Sequence, residues 1–292
     1  AKRKHKPRRM ASARQPVVFI TGANRGIGCE IVKRLAAPPW NCRVFMGSRS
    51  LAKGESARGE LIKAGCKDIT VVQIDLDDKS SIADAAVEVQ KALGAGEGLD
   101  VLINNAAFVN YDFSVDVVKQ SIQTNYRGTV AVTEAFAPMV INGGRIIFVS
   151  SAVGKTYLVD DAMAAQLLAE DLTAETLDAS MQALEHSVKQ GSYIPPTDSI
   201  GAVAYGLGKL GGTTIYPRII SRRLQDSHFV AACCPAFGGA DTPVWLATAA
   251  EDKIRGGHGG FWEQRELTDV SDWQAGMRCT LARTGCYPPG CE

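Results

Sequence analysis

Tyr205 and Lys209 stand four residues apart, a spacing that on a helix sets a phenol and an ammonium on the same face. A positive charge beside a phenol favours the phenolate, so the pair can pass a proton. Free tyrosine titrates near pH 10, and bringing it to about 7 requires roughly 4 kcal/mol of differential stabilisation. Tyr205-Gly-Leu-Gly-Lys209 is the only Tyr-xxx-Lys in the chain, yet seven tyrosines make that match weak by itself.

A second constellation gives it context. Thr21-Gly-Ala-Asn-Arg-Gly-Ile-Gly28 places glycines at 22, 26 and 28 between an apolar run and a helical pattern. Glycine permits a tight turn and close backbone approach, and a helix N-terminus offers free N–H groups and partial positive charge to a pyrophosphate. A pattern TGxxxGxG arises by chance in only about 0.02 places in such a chain. The contacts expected from this turn are Gly22, Asn24, Arg25, Gly26, Ile27 and Gly28.

The next apolar run ends in Gly47-Ser48-Arg49 without an acid. A site for a free ribose 2′-hydroxyl places Asp or Glu there, whereas a 2′-phosphate calls for cations. Arg49 and Arg25 can form that cationic fork, so the expected dinucleotide is NADP rather than NAD. Asp75, followed by Leu76, ends the third run and is placed either to accept from an adenine amino group or to cap a helix.

These groups need a frame, and the periodicity supplies one. Val17–Thr21, Arg43–Met46, Ile69–Ile74, Val101–Asn104, Arg145–Ser150 and His228–Cys234 read as strands buried on both faces. Helical patterns over Ile27–Leu35, Ser56–Ala64, Ser80–Leu93, about 115–139 and about 205–224 alternate with them. Strictly alternating strands and helices imply parallel pairing through right-handed crossovers, hence an α/β doubly wound parallel sheet. Residues of about 152–204 interrupt the alternation as a helical insertion, in which Leu177, Met181, Leu184 and Val188 form an apolar stripe capped by Thr173.

The 292 residues are 46% hydrophobic and 22% charged, which excludes disorder and collagen-like repetition. No run of eighteen apolar residues occurs, so no membrane span is expected and the chain reads as soluble, in the cytoplasm or an organelle interior. A net charge of +1 hides an asymmetry. Residues 1–14 carry seven Lys/Arg and no acid, leaving 25 basic and 31 acidic side chains in the remainder. That arm reads as a solvated tail, or as a segment suited to an acidic protein face, anionic lipid or a processed targeting peptide; with an acidic body and no recognition motif, nucleic acid is not the expected partner. Among eight cysteines, Cys29, Cys42, Cys66, Cys233 and Cys234 fall in apolar or helical stretches and read as reduced core residues. Cys279, Cys286 and Cys291 lie in the tail without ligand spacing, so no metal site is expected.

Thr21–Gly28, Asn104-Asn105-Ala106-Ala107, Asn125, Ser150-Ser151 and Tyr205-xxx-Lys209 occur in the order of the short-chain dehydrogenase/reductases, which the chain resembles over roughly residues 15–263. It looks most like the monomeric NADPH-dependent carbonyl reductases. These share the long excursion before the tyrosine, together with Cys233-Cys234-Pro235 and Thr242-Pro243-Val244-Trp245-Leu246-Ala247. The resemblance implies one Rossmann-like domain at 15–263, flanked by a basic arm at 1–14 and a tail at 264–292. It implies a catalytic set of Asn125, Ser151, Tyr205 and Lys209: Tyr205 as general acid, Ser151 bonding the carbonyl oxygen, Lys209 on the ribose, and Asn125 anchoring a relay water. Ser150 is the competing serine. Asn104, Ala106, Tyr205, Lys209 and Pro235 complete the implied cofactor contacts.

In that subgroup the excursion covers the face other members use to form tetramers, so the usual tetramer is not expected. Two departures stand out: Asn-Asn-Ala-Ala replaces Asn-Asn-Ala-Gly, and only six residues separate Pro235 from Thr242. So short a substrate loop implies a more open pocket, slower turnover, or none. The first expectation is NADPH-dependent reduction of an aldehyde, ketone or quinone. The alternative is an NADP-binding or vestigial reductase domain serving as a structural subunit, with the arm and the tail as docking segments for protein partners.

Overall fold

The computed structural model describes residues 14–196, 200–225, 227–234, 239–254, 257–263 and 265–268. Its first half runs β1 (Val17–Ile20), α1 (Gly26–Ala36), β2 (Arg43–Ser48), α2 (Leu51–Lys63), β3 (Ile69–Gln73), α3 (Lys79–Ala92) and β4 (Leu99–Asn104). A long rod follows: α4 (Val115–Ser121), a π-helical segment (Ile122–Gly128) and α5 (Thr129–Phe136). After β5 (Val140–Val149) comes the insertion with α6 (Asp161–Leu168) and α7 (Ala174–Lys189). A second rod joins α8 (Val203–Lys209), a π-helical segment (Leu210–Ile215) and α9 (Tyr216–Leu224). The chain then forms β6 (His228–Cys234), α10 (Asp241–Thr248), α11 (Glu251–Ile254), β7 (Phe261–Glu263) and β8 (Glu266–Thr268).

The eight strands make one sheet in the order β3-β2-β1-β4-β5-β6-β7-β8, parallel throughout except for the last pair. The order reverses between β1 and β4, and a doubly wound sheet opens a crevice at the carboxyl ends of the two strands that flank such a reversal. Period-two alternation explains why these strands are apolar end to end. Val17 and Phe19 join the core beneath the two long rods, while Val18 and Ile20 join the core under α1, α2 and α10. Ile146 and Phe148 are divided from Ile147 and Val149 in the same way.

Helix α2 begins at Leu51, five residues before the expected Ser56, because the Ser50 hydroxyl accepts from Lys53 N at 3.3 Å and caps it. Strand β5 likewise starts at Val140 rather than Arg145, and the Tyr205 helix starts at Val203. β7 closes the parallel part of the sheet, and β8 adds an antiparallel edge at 266–268, where the sequence shows no strong period.

The insertion follows the expected stripe. Thr173 caps α7, accepting from Thr176 N at 3.2 Å, and Leu177, Met181, Leu184 and Val188 are buried against α4 and α9. Arg127 of the first π segment clasps Glu185 through bonds of 3.0 and 2.7 Å. The five cysteines assigned to the core form no disulfide among the described residues and are buried or half-buried. The arm at 1–13, Cys279, Cys286 and Cys291 lie outside the described residues.

Candidate active site

The glycine turn leaves β1 where the strand order reverses, and β4 holds it from the side. The Thr21 hydroxyl accepts from the backbone N–H of Asn105 and of Ala106, each at 3.0 Å. The Asn105 amide returns bonds to the carbonyls of Thr21 and Gly22 at 2.9 and 3.1 Å. Gly22 has φ +62°, and a Cβ there would lie 2.7 Å from Ala106 Cα; at Gly28 it would lie 2.5 Å from the Asn105 amide nitrogen. These two positions therefore exclude any side chain. Arg25 begins α1 without a side-chain cap, so the first N–H groups of the helix face the crevice.

A cavity of about 650 Å³ occupies that crevice. Gly22, Asn24, Arg25, Gly26, Ile27, Gly28, Arg49, Asp75, Leu76, Ala106, Tyr205 and Lys209 all line it. Asn104 does not: its side chain points into the core, donating to the Thr133 hydroxyl at 3.0 Å. Pro235 lies outside the described residues. Asp75 accepts from Asp77 N at 3.1 Å, while the capping of α3 falls to Asp78.

Several lining residues escaped the sequence reading, among them Ser48, Ser50, Lys53, Asp77, Asn105 and Thr124. Lys53 was legible only with the correct start of α2, one turn after Arg49. Strand alternation could have identified Asn105, since the neighbour of an inward Asn104 faces the other way. Arg25, Arg49 and Lys53 join no ion pair among the described residues, so three cations border one end of the cavity unneutralised.

At the other end the Ser151 hydroxyl bonds the Tyr205 phenol. Ser150 also borders the cavity, but it is 2% exposed and its hydroxyl is engaged by Thr213 and Thr214 at 3.0 and 2.9 Å. The hydroxyl partners thus separate the two serines. Lys209 is fully buried, with its ammonium donating to the Val149 carbonyl at 2.6 Å and lying 5.8 Å from the centre of the Tyr205 ring.

Burial raises the Tyr205 phenol well above its usual range, and the Ser151 bond opposes this only in part. The expected lowering by Lys209 is therefore absent from the protein's own groups. The same burial pushes the Lys209 ammonium down to about 8. Together they present a neutral phenol, suited to giving a proton, beside an amine that titrates near neutrality.

Asn125 sits in the first π segment and is wholly buried. Its side chain accepts from Phe108 N at 2.7 Å and donates to Phe108 O at 2.9 Å and Ser121 Oγ at 3.0 Å. The amide is thereby committed to the loop after β4 and Ser121 rather than to the cavity. The Asn125 backbone carbonyl faces the second rod, where a Cβ on Gly212 would meet it at 1.9 Å. The two π segments touch backbone to backbone next to Lys209, the sort of place where such segments recur.

A fold of this order with this constellation defines a dinucleotide-dependent oxidoreductase, and comparison with known proteins agrees. A family model described as short chain dehydrogenase matches residues 16–165. Carbonyl reductase (NADPH) 1 of Mus musculus is 30% identical over 286 residues, covering 88% of this chain and 99% of that protein. Its Homo sapiens counterpart is 30% identical, covering 86% and 97%. Among solved structures, menthone neomenthol reductase from Mentha piperita aligns with a TM-score of 0.76 at 26% identity, covering 87% of this chain and 100% of that one. The chain belongs to the short-chain dehydrogenase family. The alternative of a structural subunit finds no support among these relatives. Among the described residues no helix is long and apolar enough to cross a membrane, and no cluster of three His, Cys, Asp or Glu could hold a metal.

Proposed function

We propose that the protein reduces the carbonyl of an aldehyde, ketone or quinone with NADPH. The observation that carries this reading is the layout of one cavity, with three unneutralised cations at one end and the Ser151–Tyr205–Lys209 set at the other.

The residues present fit the dinucleotide. A backbone cradle that admits no Cβ at Gly22 or Gly28 suits a pyrophosphate, and Arg49, Arg25 and Lys53 suit a 2′-phosphate. Asp75 would accept from the adenine, and Lys209 would hold ribose hydroxyls. When bound, the dinucleotide supplies the hydride.

Tyr205 gives its phenolic proton to the carbonyl oxygen, and the Ser151 hydroxyl bonds the same oxygen as charge develops. Lys209, close to neutrality in its titration, returns a proton towards Tyr205, with Asn125 holding the relay. The amide side chain of Asn125 keeps the substrate-side loop in place. α7 covers α4 and α9, which supports a chain that does not assemble through that face.

The test is oxidation of NADPH by purified protein with a panel of reactive aldehydes, ketones and quinones. Tyr205→Phe should abolish it, and Arg49→Ala should raise KM for NADPH by about a hundredfold while leaving NADH nearly unchanged. Oxidation that persists in Tyr205→Phe would overturn the assignment.

A further inference from the structure

Val109 lines the cavity and is 49% exposed, and Tyr111, two residues further along the same loop, is 64% exposed. Tyr111 and Val109 belong to the loop between β4 and α4, and that loop is fastened along its length. Asn125 grips both backbone groups of Phe108. The Tyr111 carbonyl lies so close to Gly201 that a Cβ there would come within 2.6 Å of it. The Phe113 ring packs 5.9 Å from that of Tyr193, whose hydroxyl donates to Leu158 O at 2.7 Å. The Asn110 side chain accepts from Asp112 N at 2.9 Å, and Ser114 caps α4.

Gly201 lies two residues before the helix that carries Tyr205, so this contact holds the Tyr111 backbone against the segment that leads into the phenol. Tyr111 also contributes to the upward shift of that phenol. An aromatic ring on a fastened loop, facing solvent and near enough to a reacting group to act on its charge, offers a face for stacking.

We propose that Tyr111 is the specificity-determining residue of this site, its ring stacking against a flat apolar body attached to the carbonyl, with Val109 as the adjoining wall. This rests on the reductase reading. The ring discriminates by area and shape, since a short aliphatic chain covers little of it and a planar aromatic covers most.

Two aldehydes of matched reactive group, butanal and naphthaldehyde, separate the effects. Tyr111→Ala should lower kcat/KM for naphthaldehyde about tenfold and change butanal by less than about twofold, and Tyr111→Phe should keep both near wild type. A second readout needs no turnover: calorimetric affinity of naphthylmethanol for the NADPH-loaded protein should fall by a similar factor in Tyr111→Ala. Unchanged discrimination together with unchanged naphthylmethanol affinity would overturn the role of Tyr111. A wild type that reduces neither aldehyde would instead sink the reductase reading, with the calorimetry still deciding for or against Tyr111.

Discussion

The Lys209 ammonium donates to the carbonyl oxygen of Val149 at 2.6 Å, which ties the Tyr205 end of the cavity to the last residue of β5. That strand also delivers Ser151, so one sheet element sets both groups that flank Tyr205. The amine is held in a place where its charge is poorly solvated, and its acidity rises accordingly.

Carbonyl reduction should therefore lose rate above about pH 8, as Lys209 gives up its proton, and not at the higher pH where the buried Tyr205 phenol titrates. Lys209→Arg, which keeps its charge, should move that alkaline limb upward if it retains activity. A pH profile of kcat/KM checks this, and a limb that Lys209→Arg leaves in place contradicts it.

The same shift has a consequence for stability. Below about pH 8 the amine is charged whether the chain is folded or not, so the native state bears the full desolvation cost, about 3 kcal/mol for a fall from 10.5 to about 8. Between those values the unfolded chain binds more protons, and this site's contribution to stability rises with pH. Lys209→Met should then be inactive yet about 2 kcal/mol more stable near pH 7, with the gain shrinking towards pH 10. Thermal unfolding of both proteins at the two pH values measures it.

Glycines divide by what surrounds them. A methyl on Gly212 would run into the Asn125 carbonyl at 1.9 Å, between two backbones that cannot yield, so Gly212→Ala should cost more than about 3 kcal/mol. Gly59 is exposed on α2 with nothing within 4 Å, and Gly59→Ala should stabilise by about 0.5–1 kcal/mol. Denaturant midpoints of the two variants should move in opposite directions.

Arg145 of β5 is buried and donates to the carbonyls of Leu246 and Ala249 at 2.5 and 2.6 Å, closing the C-terminal end of α10. Burial lowers its guanidinium to about 10, which still leaves it charged at neutral pH. Arg145→Met removes both donors and strands two carbonyls, at an expected loss of about 2–4 kcal/mol. Equilibrium unfolding checks the figure, and a loss below about 1 kcal/mol would show that α10 holds its end without the clamp.

How much could be read before folding depended on whether the signal was local. Continuous apolar strands, the glycine spacing at 22, 26 and 28, and the four-residue step from Tyr205 to Lys209 are properties of neighbouring residues, and they already imply the sheet, the glycine turn and a phenol and an amine on one helix. The α2 start was hidden because its first turn has no apolar stripe and only the Ser50 cap marks it, and Lys53 was hidden with it.

Other features arise only when distant segments meet. Ser150 and Ser151 are equivalent in the chain until Thr213 and Thr214, more than sixty residues on, engage one hydroxyl and leave the other to Tyr205. The raised phenol and lowered amine have the same origin, because desolvation depends on what the completed core excludes and not on a residue's neighbours in sequence. The loop of Val109 and Tyr111 takes its place only because Asn125, in the first rod, and Gly201, in the turn before α8, meet it there.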